Sequence, residues 1–311
     1  MFVVDLGFSN AKYLHGETAG MVRSCFRRAT AAEGHLYRGD RYLVGERALI
    51  ETGSRYLRTV EELVEMYPLF VSVCAELAGV ERDDVMVVGL PYDYWRDAKN
   101  KKGPTNPVEV LQSTLRKIEG GPGFDRVAVF PQGLGGIKAY LAGAPEASGN
   151  ILGVDIGFNT VIYTLYSCER KEILAGRTFY RRGVHDLAVN GLLPAIQEHL
   201  HGATLTPVEL DYIMQAGALQ VGFDKVDIQP EIKEAARAYV NDLLSLVTGD
   251  LKATRRAVSF DTLLFFGGGA RLLAGKVESS KVKVVVMEDP EFANAVGFRK
   301  RAEELIADAG E

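Results

Sequence analysis

Two short stretches of this chain carry the same arrangement of an acid and a glycine. Residues 2–14 read FVVDLGFSNAKYL and hold Asp5 and Gly7; residues 151–166 read ILGVDIGFNTVIYTLY and hold Asp155 and Gly157. At an offset of 150 residues Val4 matches Val154, Asp5 matches Asp155, Gly7 matches Gly157, Phe8 matches Phe158 and Tyr13 matches Tyr163. Alone, an Asp-x-Gly at a strand end reads as a hairpin turn whose aspartate bonds its own backbone. Two copies, each opening a comparable half of the chain, predict two related domains whose loops face one cleft. A ligand held there meets two carboxylates and two glycine bends together.

A third feature is the triplet Gly267, Gly268 and Gly269, directly after an apolar run. A surface without side chains lets a flat ring or a phosphate lie against bare backbone. The chain has no G-x-x-x-x-G-K-[ST] and no G-x-G-x-x-G, so neither a P-loop nor a dinucleotide fingerprint explains these glycines.

The elements that must position these residues follow from periodicity. Each Asp-x-Gly sits between two apolar runs, which predicts a strand, a tight loop and an antiparallel strand. Residues 21–26 and 41–44 read as short strands of a modest insertion, within about 20–80. From 58 to 77 the positions Val60, Leu63, Val64, Leu69, Val73 and Leu77 recur at helical spacing, with Pro68 expected to divide the helix in two. Residues 85–90 form a continuous apolar run closed by Pro91, as in a strand buried on both faces. The strand at 126–131 runs into a glycine-rich turn and a helix, 132–143, expected to cross between lobes.

The small, polar segment 144–150 marks the boundary between a first domain, 1–149, and a second, 150–289. In the second, helical patterns at 184–201, 207–217 and 230–253 predict an all-helical block of about 184–258. Strands are expected at 263–266 and 281–287. A closing helix within 290–311 is expected to pack back on the first domain. The fold class is α/β.

At 311 residues the chain is long enough for two domains, and 47% apolar with 25% charged residues is a globular composition. No apolar run approaches the roughly 20 residues that span a bilayer, and Asp5 interrupts the first one, so neither a membrane span nor a signal peptide is expected. The expected location is the cytoplasm. Cys25, Cys74 and Cys168 lie far apart without C-x-x-C spacing, which argues against a zinc site or a disulfide framework. A formal charge of −5 offers no general attraction to nucleic acid, so any DNA contact is expected through an adaptor protein.

With these motifs in order, the chain resembles the actin, Hsp70 and sugar-kinase superfamily, and within it the ParM-type actin-like proteins of bacteria and archaea. DLGFSNAK (5–12) resembles a first phosphate loop, FPQGLGGIKAY (130–140) a first connecting segment and DIGFNT (155–160) a second phosphate loop. FFGGGARLL (265–273) resembles the adenosine motif and FANAVGF (292–298) a second connecting helix. The resemblance implies a two-lobed actin-like ATPase fold, with duplicated ribonuclease-H-like domains and a nucleotide cleft between them.

It also implies ATP with Mg²⁺, GTP being left open. Asp5 and Asp155 would approach the phosphates from opposite lobes and hold the ion largely through its waters, because Mg²⁺ dehydrates reluctantly. Gly7 and Gly157 would offer backbone N–H groups, in loops that also hold Phe8 and Phe158. Ser9, Asn10, Asn159 and Thr160 would add hydrogen bonds, and Lys12 an ammonium on the terminal phosphates. Gln132 would position the attacking water by orientation, its amide being too weak a base to take the proton. Gly267, Gly268 and Gly269, with Ala270 and Arg271, would face the adenosine. The implied function is a filament-forming ATPase in plasmid or DNA segregation or a related cytoskeletal task. The alternative is a small-molecule kinase of the same superfamily; against it, residues 130–136 supply no acidic base.

Overall fold

In a computed structural model, which describes residues 1–30, 33–49, 53–118, 120–253, 259–273 and 279–310, the apolar runs beside both Asp-x-Gly turns become buried strands. Phe2–Leu6 pairs antiparallel with Asn10–His15, setting Val4 opposite Tyr13. Asn150–Ile156 pairs in the same way with Thr160–Ser167, setting Val154 opposite Tyr163. The repeat extends beyond the hairpins. The first sheet runs Thr18–Arg23, Asn10–His15, Phe2–Leu6, Arg82–Leu90, Gly123–Pro131, and the second runs Glu172–Tyr180, Thr160–Ser167, Asn150–Ile156, Thr262–Phe266, Lys283–Val286. In both, the first three strands are antiparallel and the last two run parallel to the central one. The α/β class and the two related lobes are those expected.

The lobes differ in what they insert. In the first, Ser24 ends Thr18–Arg23, and the chain then enters a small sheet of His35–Tyr37, Asp40–Val44, Cys25–Arg28 and Arg55–Tyr56. The expected strand at 21–26 is therefore two strands in two sheets. The helix Val60–Ala78 is continuous, capped by the Thr59 side chain and ended by Gly79 in the left-handed region. Pro68 was expected to divide it. The lost backbone bond is offset by burial, because Pro68 sits inside the packed face with Tyr67, Leu69, Phe70 and Val71. The last turn leaves that face, and Leu77 is exposed.

The second lobe's insertion is not all helical. Between the helices Pro207–Ala216 and Gln229–Ala253 lies a two-stranded ribbon, Ala218–Val221 with Asp224–Asp227, entered at Gly217 and turned at Gly222. Leu219 points into a local core with Ile213, Ile228 and Ile232. The expected ends of this block at 254–258, and of the chain at 311, lie outside the described residues.

Two helices tie the lobes together. Leu134–Gly143 follows the last strand of the first sheet, and its Ile137 packs with Ile151, Tyr166, Leu264 and Phe266 of the second. Ala293–Gly310 follows the last strand of the second sheet, and its Phe298 and Ala302 pack with Val3, Leu14, Val85 and Val87 of the first. The helices cross so closely that a Cβ on Gly297 would lie 1.7 Å from the Gly135 carbonyl oxygen, which only glycine permits. Among the described residues, no helix is long and apolar enough to cross a membrane.

Candidate functional site

Each Asp-x-Gly turn is closed by the same bond. Gly7 N donates to Asn10 O at 3.0 Å, and Gly157 N donates to Thr160 O at 2.9 Å. Because Asp5 and Asp155 hold equivalent positions at the ends of the central strands, both carboxylates arrive at one cleft of about 1070 Å³ between the lobes. That volume accommodates a nucleotide-sized ligand. The cleft is lined by Asp5, Gly7, Phe8, Ser9, Asn10 and Lys12 from the first hairpin, and by Asp155, Gly157, Phe158 and Thr160 from the second. Gln132, Gly267, Gly268, Gly269 and Arg271 complete the expected residues that line it.

Two expected residues stand elsewhere. The Asn159 amide turns away and donates to Arg58 O of the first lobe at 3.4 Å. Ala270 is fully buried, its N–H donating to Gly267 O at 3.0 Å, so it supports the glycine turn from behind. Phe158 lines the cleft, yet its ring packs on Tyr56 of the first lobe and on His185. The tip of the second loop thus serves in part to hold the lobes together.

The two carboxylates are each gripped by a carboxamide. Gln132 Nε2 donates to Asp5 Oδ1 at 2.8 Å and to Leu6 O at 3.3 Å, while Gln132 N donates to Leu90 O at 2.7 Å. Both side-chain bonds use Nε2, which leaves Oε1 as the acceptor that could orient a water. On the other side Asn294 Nδ2 donates to Asp155 Oδ2 at 2.7 Å. Lys12 Nζ stands 4.0 Å from Asp5 Oδ2. Burial pushes the Asp155 carboxyl up to about 6, with Asp5 adding to the rise and the Asn294 amide and Lys12 opposing it.

The first loop also depends on Tyr67, whose hydroxyl is fully enclosed by the first sheet. It accepts from Leu6 N and Gly89 N, each at 3.2 Å, and lies 3.0 Å from Val4 O. It thereby joins Phe2–Leu6 to Arg82–Leu90 where the regular ladder between them has ended. At the cleft mouth Arg23 of the first lobe bonds Glu46 of its own lobe and Asp211 of the other, both at 3.1 Å. Arg271 is paired with Glu291 through two bonds. Sequence reasoning missed Asn294, Tyr67, Arg23 and Asp211. The FANAVGF segment located Asn294 without giving it a role.

The donor set suits Mg²⁺. Two aspartate carboxylates are hard oxygen donors, and each has one oxygen fixed by an amide, which leaves the other for an ion's water shell. Among the described residues no group of three or more His, Cys, Asp or Glu could form an all-protein metal cage.

Residues 4–135 match the family model described as "Actin like proteins N terminal domain". No curated protein matches the chain by sequence. Among solved structures, Ta0583, an archaeal actin homologue, superposes with a TM-score of 0.77 at 18% identity, covering 98% of this chain and 100% of that one. Its complex with ADP gives a TM-score of 0.71 at 17% identity, covering 97% and 99%. The subunit of a 15-stranded ParM filament from Clostridium botulinum gives 0.72 at 16% identity, covering 97% and 99%. The first lobe thus matches an actin-like domain model, and the chain has the fold of ParM and of the archaeal actin homologues across nearly its whole length.

Proposed function

We propose that the protein is an ATPase whose nucleotide state controls its assembly into filaments, serving plasmid or DNA segregation or a related cytoskeletal task. The observation that carries the reading is the pair of matched Asp-x-Gly turns, brought from two lobes to one cleft with an identical closing bond. The ADP complex of one structural neighbour and the filament of another support it.

In this reading the bare turns at Gly7 and Gly157 leave room for the phosphates, the N–H groups expected to face them being spent on Asn10 O and Thr160 O, and Lys12 supplies a positive charge on the first-lobe side. Bound Mg²⁺ would neutralise phosphate charge, held by Asp5 and Asp155 through water. Gln132, fixed by its Nε2 bonds to Asp5 and Leu6, offers Oε1 to orient the attacking water. Gly267 leaves the backbone open beside Asp155, where a Cβ would lie 2.3 Å from Oδ1.

A ligand touching both hairpins fixes the angle between the lobes, and one angle lets head-to-tail surfaces match along an open assembly. Loss of the terminal phosphate removes that differential contact and weakens the lattice. Any contact with DNA passes through an adaptor protein.

The test is sedimentation and negative-stain microscopy of purified protein with ATP, a slowly hydrolysed analogue or ADP, alongside phosphate release. Filaments with the analogue and disassembly after hydrolysis are expected. Flat sedimentation with every nucleotide, together with ADP release stimulated by a sugar, would replace this reading with the kinase.

A further inference from the structure

We propose that Asn294 is a positioning residue that couples the second-lobe carboxylate, Asp155, to the peptide segment carrying Gln132. The inference rests on the ATPase reading, since it concerns how the water-orienting glutamine is held.

Asn294 is buried where the two connecting helices cross, and its side chain makes three bonds. Nδ2 donates to Asp155 Oδ2 at 2.7 Å, while Oδ1 accepts from Gly133 N at 3.1 Å and from Gly136 N at 3.3 Å. Its orientation is decided by these partners. Turned over, the amide would set oxygen against a carboxylate and NH₂ against two N–H donors, which repels on both sides.

The Oδ1 bonds have a structural meaning of their own. Gly133 is the N-cap of Leu134–Gly143 and has no side chain, so this helix lacks a cap from its own sequence. Its first amides would be left without partners in a buried crossing. Asn294 supplies the cap from the opposing helix.

Gly133 directly follows Gln132. A continuous path therefore runs from Asp155 through Asn294 to the Gly133 amide, and from Gln132 to Asp5, linking the carboxylates of both lobes. A Cβ on Gly135 would meet Asn294 Cα at 2.7 Å, so the two connecting helices touch backbone to backbone beside this path. Whatever displaces Asp155 when the cleft fills is transmitted to the peptide that orients Gln132. Gly133 and Gly136 themselves do not line the cleft.

The test combines amide hydrogen exchange with a kinetic cycle on the full chain. In the parent, adding a slowly hydrolysed ATP analogue with Mg²⁺ should change exchange at Gly133 and Gly136, although neither lines the cleft. Asn294→Ala should speed exchange at both amides about tenfold or more without nucleotide. Asn294→Asp keeps an acceptor for both amides and sets a second carboxylate against Asp155, so, measured at a pH high enough to remove the proton the pair would share, protection should persist while the nucleotide response disappears. This second variant keeps the test open if Asn294→Ala folds poorly.

In turnover, Asn294→Ala should lower kcat about tenfold or more with KM changed less, and should add little in a Gln132→Ala background. Unchanged Gly133 and Gly136 exchange, or kcat losses that multiply in the double variant, would overturn the coupling. A parent that neither binds nor hydrolyses ATP would instead overturn the ATPase reading, with the apo exchange comparison still deciding whether Asn294 caps the helix.

Discussion

Asp155→Asn should make the nucleotide-free protein more stable at neutral pH, although it removes a residue of the proposed site. The Asp155 carboxyl is buried, and its pKa rises from 3.8 to about 6. At about 1.4 kcal/mol for each tenfold change in proton affinity, holding this group ionised in the folded state costs roughly 3 kcal/mol. The sign follows from proton binding. Between about pH 4 and pH 6 the folded state binds more protons at this site than the unfolded chain, so stability falls as pH rises and levels off above 6. An asparagine cannot ionise and avoids the cost.

The variant should therefore gain roughly 3 kcal/mol at pH 7.5, or about 6 °C or more in melting temperature for domains of this size. Roughly half of that gain should remain at pH 5, because the parent then carries the proton. Calorimetry of metal-free, nucleotide-free protein at pH 5, 6 and 7.5 reads this directly. Mg²⁺ with ADP should narrow the gap at pH 7.5 by stabilising the parent more than the variant, since a ligand stabilises only the state that binds it. A variant no more stable than the parent at pH 7.5, with the same pH slope, would refute the reasoning and leave Asp155 solvated in the free protein.

Gln132→Ala should bind ATP with nearly parental affinity in calorimetry and release phosphate about a hundredfold more slowly, because water orientation acts in the transition state; parental turnover removes the assigned role. Tyr67→Phe strips the Leu6 and Gly89 amides of their partner and should cost about 2–4 kcal/mol in denaturant unfolding; a loss under about 0.5 kcal/mol means water replaces the hydroxyl. Arg23→Ala removes a partly buried bridge to Asp211 across the cleft mouth, worth about 1 kcal/mol. Release of a fluorescent nucleotide should accelerate about two- to fivefold and lose part of its salt dependence, and an unchanged off-rate shows that the pair does not restrain the mouth.

What the sequence made legible was local. The two hairpins could be read because apolar alternation, an Asp-x-Gly and a tyrosine recur at a fixed offset, and each of these is set by neighbouring residues. Asn294 could not be assigned a role in this way, since its partners Asp155 and Gly133 lie 139 and 161 residues away. Tyr67 hid inside an apolar helical stripe, where a tyrosine looks like any other core residue until its hydroxyl is seen on the strands below. Pro68 misled for a related reason: propensity argued for a break, and tertiary burial outweighed it. Asn159 shows the converse, a residue of the right type in the right motif whose side chain serves the contact between lobes.

The two halves share a sheet and a turn, yet they diverge at the positions that meet charge. Lys12 lies opposite Asp5 in the first hairpin, whereas Ile162 lies opposite Asp155 in the second. The first lobe therefore brings its own cation to its carboxylate, and the second does not. The amides differ as well. Gln132 precedes its connecting helix and reaches Asp5 with a longer side chain, whereas Asn294 lies within its helix, where a shorter side chain reaches Asp155 and still caps the opposing helix. One lobe thus sets a lysine and the amide proposed to orient water beside its carboxylate, and the other ties its buried carboxylate to the crossing point. A ligand that supplies positive charge at Asp155 relieves the cost of ionising that buried carboxylate, next to the crossing of the two connecting helices.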